Sequence, residues 1–499
     1  MTSPINYIFR HCAKTLIPTE AKRDREGFTA QNFGGPLPHF FTLDSKVETC
    51  ARSRLLRSGP NWRLVRLLVA VIAACGFAAA LALPPAGLAQ TTAGSSAAIN
   101  ENAETYHADE PWIGSWAVSP QPPFEGYPNF APPGTPPTFS NQTLRQIAHI
   151  SLGGTEVRVR VSNVFGTDSL VIGAARIGLG ATGAQVVPGT NQVLTFSGRT
   201  SITIPPGALA VSDPINLEVP PLHDLSISLY LPSSTLGNTQ HTNGWQTNYL
   251  LAGDQTSSLN PAVVTSPPAN YDPMSFYFLI DVEVYAREAS AIVCLGDSIT
   301  DGDHSTPDAN HRWPNFLALR LLAQREQCGD IGVLDEGISG NRLLHNLVGP
   351  NALARFDRDV IAQAGVSYVI LEEGNGDIGF PNFLPDQSQA VSATDIIAAY
   401  RQLIIRAHEA GLRIYGTTLT PFAGSFLYSD AGEVERQAVN KWIRTSGAFD
   451  GIIDFEAVLR DGQTPPHVLA QYDSGDHVHP NDAGYAAMAN AIPLELFEH

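Results

Sequence analysis

The chain has 499 residues, 43% of them apolar, and its 30 Lys/Arg against 48 Asp/Glu give a formal charge of -18. That length exceeds one ordinary domain, and the apolar share suffices for two cores. A surplus of acid on this scale excludes a surface built to neutralise phosphates, so no nucleic-acid partner is expected.

Residues 1–62 mix Arg, Pro, Gly and scattered apolar residues with no helical or strand period, and read as a disordered or mis-assigned extension. No Met lies between Met1 and Met274, which fits a start at a non-Met codon such as Val65. In residues 63–89, Arg63 and Arg66 precede an apolar run over 67–83, followed by Pro84-Pro85 and Gly87-Leu88-Ala89. A basic flank, a short apolar core and a small-residue end predict a signal peptide cleaved near Ala89. The alternative is an uncleaved anchor, since about 17 apolar residues is the lower limit for spanning a bilayer. The prolines and small residues favour cleavage, giving a secreted or extracytoplasmic protein with no stable membrane insertion afterwards. Residues 90–111 read as a linker. Residues 1–89 hold 11 Lys/Arg and 5 Asp/Glu, so the remainder carries a charge near -24.

Residues 112–288 are strand-like and rich in turns. Thr155-Glu156-Val157-Arg158-Val159-Arg160-Val161 and Leu225-Ser226-Ile227-Ser228-Leu229-Tyr230-Leu231 alternate at period two. Shorter strands are expected at 194–196, 201–204 and 276–284, with no amphipathic helix between them. The pattern predicts an antiparallel β-sandwich, jelly-roll-like in kind. Gly178-Leu179-Gly180-Ala181-Thr182-Gly183 fits G-x-G-x-x-G, but strand-like sequence follows it and a dinucleotide site needs a helix there, so it reads as a turn.

From 289 to 499 the period changes. Apolar runs at 291–295, 331–334, 367–371, 414–417 and 451–455 alternate with helical segments at 313–325, 394–410 and 434–445. Strand and helix in alternation predict a parallel sheet covered on both faces, with reactive groups at the carboxyl ends of its strands. Beyond residue 89 the only cysteines are Cys294 and Cys328. They could pair, but Cys294 ends an apolar strand and reads as a buried small hydrophobe. No zinc spacing is present, and neither cofactor nor metal is expected.

The first of these strands runs into Gly296-Asp297-Ser298-Ile299-Thr300-Asp301-Gly302, which places a hydroxyl beyond a buried strand. Asp-Ser can equally cap the following helix, so the tripeptide alone decides little. It is not a G-x-S-x-G elbow. Near the end stands Asp473-Ser474-Gly475-Asp476-His477-Val478-His479-Pro480-Asn481-Asp482. Asp476 and His479, three apart, can share one turn, the carboxylate holding one ring nitrogen while the other faces a serine. His477 is the competing histidine, and Asn481 or Asp482 can cap the closing helix.

Gly-Asp-Ser at 296–298, Ser339-Gly340-Asn341-Arg342 after the second strand, a Gly-containing block after the third and Asp476-x-x-His479-Pro480 resemble the four ordered blocks of the SGNH (GDSL) hydrolases. The resemblance spans about 291–497 and implies a three-layer α/β/α, flavodoxin-like domain. Chains in one branch of that family also carry a β-rich domain ahead of it. The resemblance further implies that Ser298 is the nucleophile, His479 its base and Asp476 the orienting acid. The N–H groups of Ser298 and Gly340 would serve the oxyanion hole. In place of the family's Gly-x-Asn-Asp stands Glu373-Gly374-Asn375-Gly376-Asp377. Gly376 then occupies the position of the donating Asn, a loss of about 2.7–4 kcal/mol of transition-state stabilisation. Asn375 is the candidate substitute donor, and Gly376→Asn the expected restoration.

Glu372 and Glu373 suggest acid/base or metal work less than they suggest a solvent-facing group or a partner for an Arg such as Arg342. The function so implied is hydrolysis of carboxylic esters, with short acyl groups on an acylated polysaccharide as the expected substrate. An acyltransferase using the same nucleophile and a catalytically decayed carbohydrate-binding protein are the alternatives.

Overall fold

Alternation along the first half of the chain decides which side chains meet. In the computed structural model, which describes residues 111–126, 133–383 and 387–498, Val157, Val159 and Val161 of the strand Gly154–Ser162 are buried while the intervening arginines are not fully so. The expected extension, signal and linker lie outside the described residues apart from Pro111. Among the described residues no helix is long and apolar enough to cross a membrane.

Two five-stranded antiparallel sheets are built from residues 112–285. One runs in the order Trp112–Ala117, Leu279–Tyr285, Gly154–Ser162, Ile215–Val219, with Leu209–Val211 also paired to Gly154–Ser162. The other runs Tyr249–Ala252, Gln142–His149, Asp224–Leu231, Ala174–Leu179, Gln192–Leu194. Leu225, Ile227, Leu229 and Leu231 from the second join Val157, Val159 and Val282 from the first in one apolar cluster. Each such side chain, fully buried, contributes roughly 1.5–3 kcal/mol. The glycine-rich stretch that begins at Gly178 closes the strand Ala174–Leu179 and turns, with Gly180 bridging to Val186, and no helix follows.

At Ala289 the architecture changes to a five-stranded parallel sheet. Its strands are Ala289–Gly296, Asp330–Gly337, Val366–Glu372, Arg413–Thr417 and Gly451–Ile453, arranged 2-1-3-4-5 along the chain. Alternate residues of the first strand enter separate cores: Val293 and Leu295 face the cluster containing Tyr400, Leu403 and Val439, whereas Ile292 and Cys294 face Trp313, Tyr485 and Met488. The sheet is thus covered on both faces, as near-continuous apolar strands require. Cys294 and Cys328 are both buried, and among the described residues neither forms a disulfide.

Helix starts follow capping side chains more closely than apolar period. Ala393–Glu409 begins at a reciprocal capping box between Ser392 and Asp395. Asp430–Thr445 starts four residues ahead of the expected 434 because Ser429 caps it and acidic residues fill its first turn. The last parallel strand stops at Ile453 and not 455, since Asp454 turns inward to cap Phe455–Leu459.

The described residues fall in one compact unit, and a buried polar junction joins its β-rich part to the parallel sheet. Arg355 donates to the carbonyls of Gly296 (2.9 Å) and Glu336 (2.7 Å), to Asn341 Oδ1 (3.1 Å) and to Ser119 Oγ (2.8 Å). Asp359 pairs with it at 3.3 Å. Removing one member of a buried, hydrogen-bonded charge set leaves the others uncompensated. Arg355→Ala is expected to lower stability by about 3–5 kcal/mol, read from chemical denaturation. A loss below about 1 kcal/mol would place Arg355 among ordinary surface contacts.

Candidate active site

The first parallel strand ends at Gly296 and hands the chain to Asp297, whose carboxylate caps the short helix Ser298–Asp301 by accepting the Ile299 N–H at 2.9 Å. Thr300 Oγ1 donates to Glu372 Oε2 at 3.0 Å, tying that helix to the end of the third strand. Ser298 is fixed between these two bonds. Its Oγ lies 2.7 Å from His479 Nε2, across 181 residues of sequence. His479 Nδ1 lies 2.5 Å from Asp476 Oδ2, and Asp476 Oδ1 accepts the N–H groups of Val478 and His479 at 3.0 and 2.9 Å. A carboxylate on Nδ1 selects the tautomer that leaves Nε2 able to take the serine proton. The competing His477 pairs instead with Asp473 at 2.6 Å and is half exposed. Asn481 caps the closing helix Asp482–Asn490.

Ser298, Gly340, Asn375, Gly376 and His479 line one cleft, together with Phe380, Phe426 and Leu427. Asp476 sits behind His479. Gly340 holds φ +83°, a conformation a side chain would strain. The N–H groups of Ser298 and Gly340 take no backbone acceptor among the described residues, which leaves two donors at the cleft for a developing oxyanion.

The third block departs from the expected repair. Asn375 donates to Thr420 Oγ1 at 2.9 Å, so its amide is engaged by the neighbouring loop. A Cβ on Gly376 would lie 2.5 Å from the Asn341 carbonyl oxygen and 3.2 Å from Arg342 Cγ. The backbone has closed onto the 341–342 loop and has no room for the Asn side chain that the resemblance places there. Asp377 holds that same loop, accepting the N–H groups of Leu343 (2.6 Å) and Leu344 (3.0 Å), and burial pushes its carboxyl up to about 6 against those bonds.

Burial acts against charge throughout the site. It would lower the pKa of His479, but Asp476 and then Asp303, whose Oδ2 lies 3.8 Å from Nε2, hold the imidazole up at about 9. Burial likewise opposes the charge on Asp476, yet His479 and two backbone N–H groups bring its carboxyl well below the usual range. Neither Glu372 nor Glu373 faces solvent, and the expected pairing of one of them with an arginine is made by Glu373, with Arg355. Both are buried, Glu373 has Arg355 as its guanidinium neighbour at 3.8 Å, and desolvation pushes both well above the carboxylate range.

Asp303 and His304 were not singled out by the sequence, although they follow the serine motif directly. The His304 ring stacks on that of His479, 5.2 Å between centroids and 14° from parallel. Asp303, His304 and His479 offer three ligand atoms within 4.8 Å of one another. Metal ligation needs in-plane lone pairs that converge, and near-parallel stacked rings direct theirs along parallel planes. The segment is tethered from the chain's last helix: Tyr485 donates to the Asp303 carbonyl at 2.6 Å, and Thr306 and His311 bond Asp482.

Because the 376 position is filled by backbone contact, Gly376→Asn is expected to destabilise the fold by about 1–3 kcal/mol, as overpacking does, and not to raise turnover. Denaturation midpoints measure this. A variant as stable as the parent would show that the loop opens to admit a side chain.

The sequence model of the GDSL-like Lipase/Acylhydrolase family matches residues 294–487. No curated protein matches the chain. Similar solved structures include a variant acetyl xylan esterase from Geobacillus stearothermophilus, 22% identical, covering 40% of this chain and 92% of that one with a TM-score of 0.33. Another is a member of the lipolytic protein G-D-S-L family from Veillonella parvula, at 19% identity, 40% and 95% coverage and TM-score 0.31. A carbohydrate acetylesterase family member from Sinorhizobium meliloti is similar at 14% identity, 40% and 94% coverage and TM-score 0.31. The family match contains Ser298, Gly340, Asp476 and His479, and through residues 294–487 the chain carries a GDSL-like lipase/acylhydrolase domain.

Proposed function

We propose that the protein is a secreted serine esterase that hydrolyses carboxylic esters through an acyl-enzyme, removing short acyl groups such as acetate from carbohydrate. The observation that carries the reading is the continuous hydrogen-bonded series from Ser298 Oγ through His479 to Asp476. Ser298 Oγ attacks the ester carbonyl carbon while His479 Nε2 takes its proton. The carbonyl oxygen gains charge within reach of the Ser298 and Gly340 N–H groups. The tetrahedral intermediate collapses, the C–O bond to the alcohol breaks, and His479 returns the proton to the departing oxygen. A water molecule, deprotonated by the same nitrogen, then releases the acid. Asp476 keeps the ring oriented and stabilises the imidazolium at each transfer.

The small size of the cleft supports a short acyl chain: it measures about 330 Å³ including its open mouth, with Phe380, Phe426 and Leu427 among its walls. The expected signal at 63–89 supports an extracytoplasmic location, and we read the paired antiparallel sheets as a jelly-roll-like sandwich that accompanies the hydrolase domain.

Only the neutral imidazole accepts the serine proton. With His479 held near pKa 9, kcat/KM is expected to rise with pH through a limb centred well above the ordinary histidine value of about 6.5. Asp303→Asn, which removes one of the carboxylates that raise it, is expected to move the limb to lower pH. The same shift makes a stabilising contribution that is complete below about pH 6.5 and fades as pH rises through about 9. A parent limb at or below 6.5, or an unmoved limb in the variant, would contradict this account of the base.

Protein recovered from culture medium is expected to show a burst of p-nitrophenol from p-nitrophenyl acetate, and Ser298→Ala to lose at least about a thousandfold in kcat. Intact mass of the same sample is expected to place its start near residue 90. Turnover that survives in Ser298→Ala would sink the nucleophile assignment, and a secreted chain retaining residues 1–62 would sink the signal reading.

A further inference from the structure

The hydrolase domain does not complete its site alone. Residues 245–247, a loop of the β-rich part, are locked to the segment that carries Asp303 and His304. The Asp308 carboxylate accepts the Thr247 N–H (2.6 Å), the Thr247 hydroxyl (2.7 Å) and the Gln246 amide (2.9 Å), and the Asp308 N–H donates to the Trp245 carbonyl (2.9 Å). Asp308, through its carboxylate and its backbone N–H, therefore ties residues 245–247 to the segment beside His479.

Trp245 is an odd residue to find there. It is half-buried, its backbone lies in the left-handed region at φ +51°, and its buried indole N–H finds no acceptor among the described residues. A bulky residue in that conformation carries strain, and an unpartnered buried donor carries a desolvation cost, so packing does not account for the choice. Its ring lies 6.5 Å from that of His304, which in turn stacks on His479. The aromatic rings thus lead outward from the base in sequence.

The chemistry assigns a use to that direction. Whatever alcohol departs must receive its proton from His479 Nε2, so the leaving group lies on the His479 side of the serine. The cleft at Ser298 is walled by Phe380, Phe426 and Leu427 with Gly340, and neither Trp245 nor His304 is among its walls, so these two rings lie beyond it next to the base. We propose that Trp245 and His304 form the alcohol subsite, and that Trp245 is the specificity-determining residue on which the ring of a sugar alcohol packs. An indole offers a broad, rigid apolar face at little entropic cost, matched to the C–H face of a pyranose. This inference rests on the esterase reading and deepens it by naming where the carbohydrate sits.

The test compares acetylated xylose with ethyl acetate, whose alcohol is too small to reach Trp245. In Trp245→Ala the ratio of kcat/KM for the sugar acetate to that for ethyl acetate is expected to fall about tenfold, the worth of one aromatic contact, mainly through KM. Trp245→Phe, which keeps a ring, is expected to restore most of the ratio and guards against a collapsed loop. In Ser298→Ala, xylobiose binding by calorimetry is expected, and its loss when Trp245→Ala is added. An unchanged ratio with intact binding overturns the proposal while leaving the esterase standing. Sugar binding that depends on Trp245 in a protein that hydrolyses neither ester overturns the esterase and keeps the subsite.

Discussion

The buried guanidinium of Arg355 sets the frame within which the site's distances hold. It spans the end of the nucleophile strand at Gly296, the end of the second strand at Glu336, the loop after Gly340 through Asn341, and the β-rich part through Ser119. A planar, rigid donor can satisfy several carbonyls at fixed angles where a lysine would offer one mobile charge. Ser298 opens a short helix and Gly340 lies on a separate loop, and the guanidinium ties Gly296 ahead of the one to Asn341 after the other. A pair of oxyanion donors acts well only if its spacing does not relax as charge develops.

That frame is held at an electrostatic cost. Asp297, Glu372, Glu373 and Asp377 crowd the carboxyl ends of the strands, all buried, in a chain with a large acid surplus. Desolvation pushes Glu372 and Glu373 well above the carboxylate range, while Asp377 places its oxygens on the loop beyond Gly340. Beside the imidazole the balance is reversed: His479 and backbone N–H groups bring the Asp476 carboxyl below the usual range against its burial. Asp476 and then Asp303 raise the His479 imidazole against its own burial, so the ring is basic for a buried histidine.

What could be read in the sequence was local or motif-borne. The alternating valines of 157–161 announced their strand, the mixed strand and helix periods announced the parallel sheet, and Gly296-Asp297-Ser298 with Asp476-x-x-His479 announced two ends of one site. The rest depends on contacts between distant segments. Nothing around Arg355 distinguishes it from other arginines, because its partners are carbonyls supplied by three different strand ends and loops. Trp245 lies in a turn-rich stretch with no period, and its neighbour His304 became visible only through ring stacking. The altered third block shows the complementary limit: the missing Asn was legible at Gly376, but the closed backbone that excludes it was not.

The 181 residues between serine and base have a consequence for the order of folding. His479 is placed by a turn that the final helix secures through Asn481, and that helix also reaches back through Tyr485 to the segment beside the serine. Contacts of such separation form late, after the entropy of closing the intervening chain has been met. In a growing or partly folded chain Ser298 therefore stands without His479 beside it until the turn that carries His479 docks.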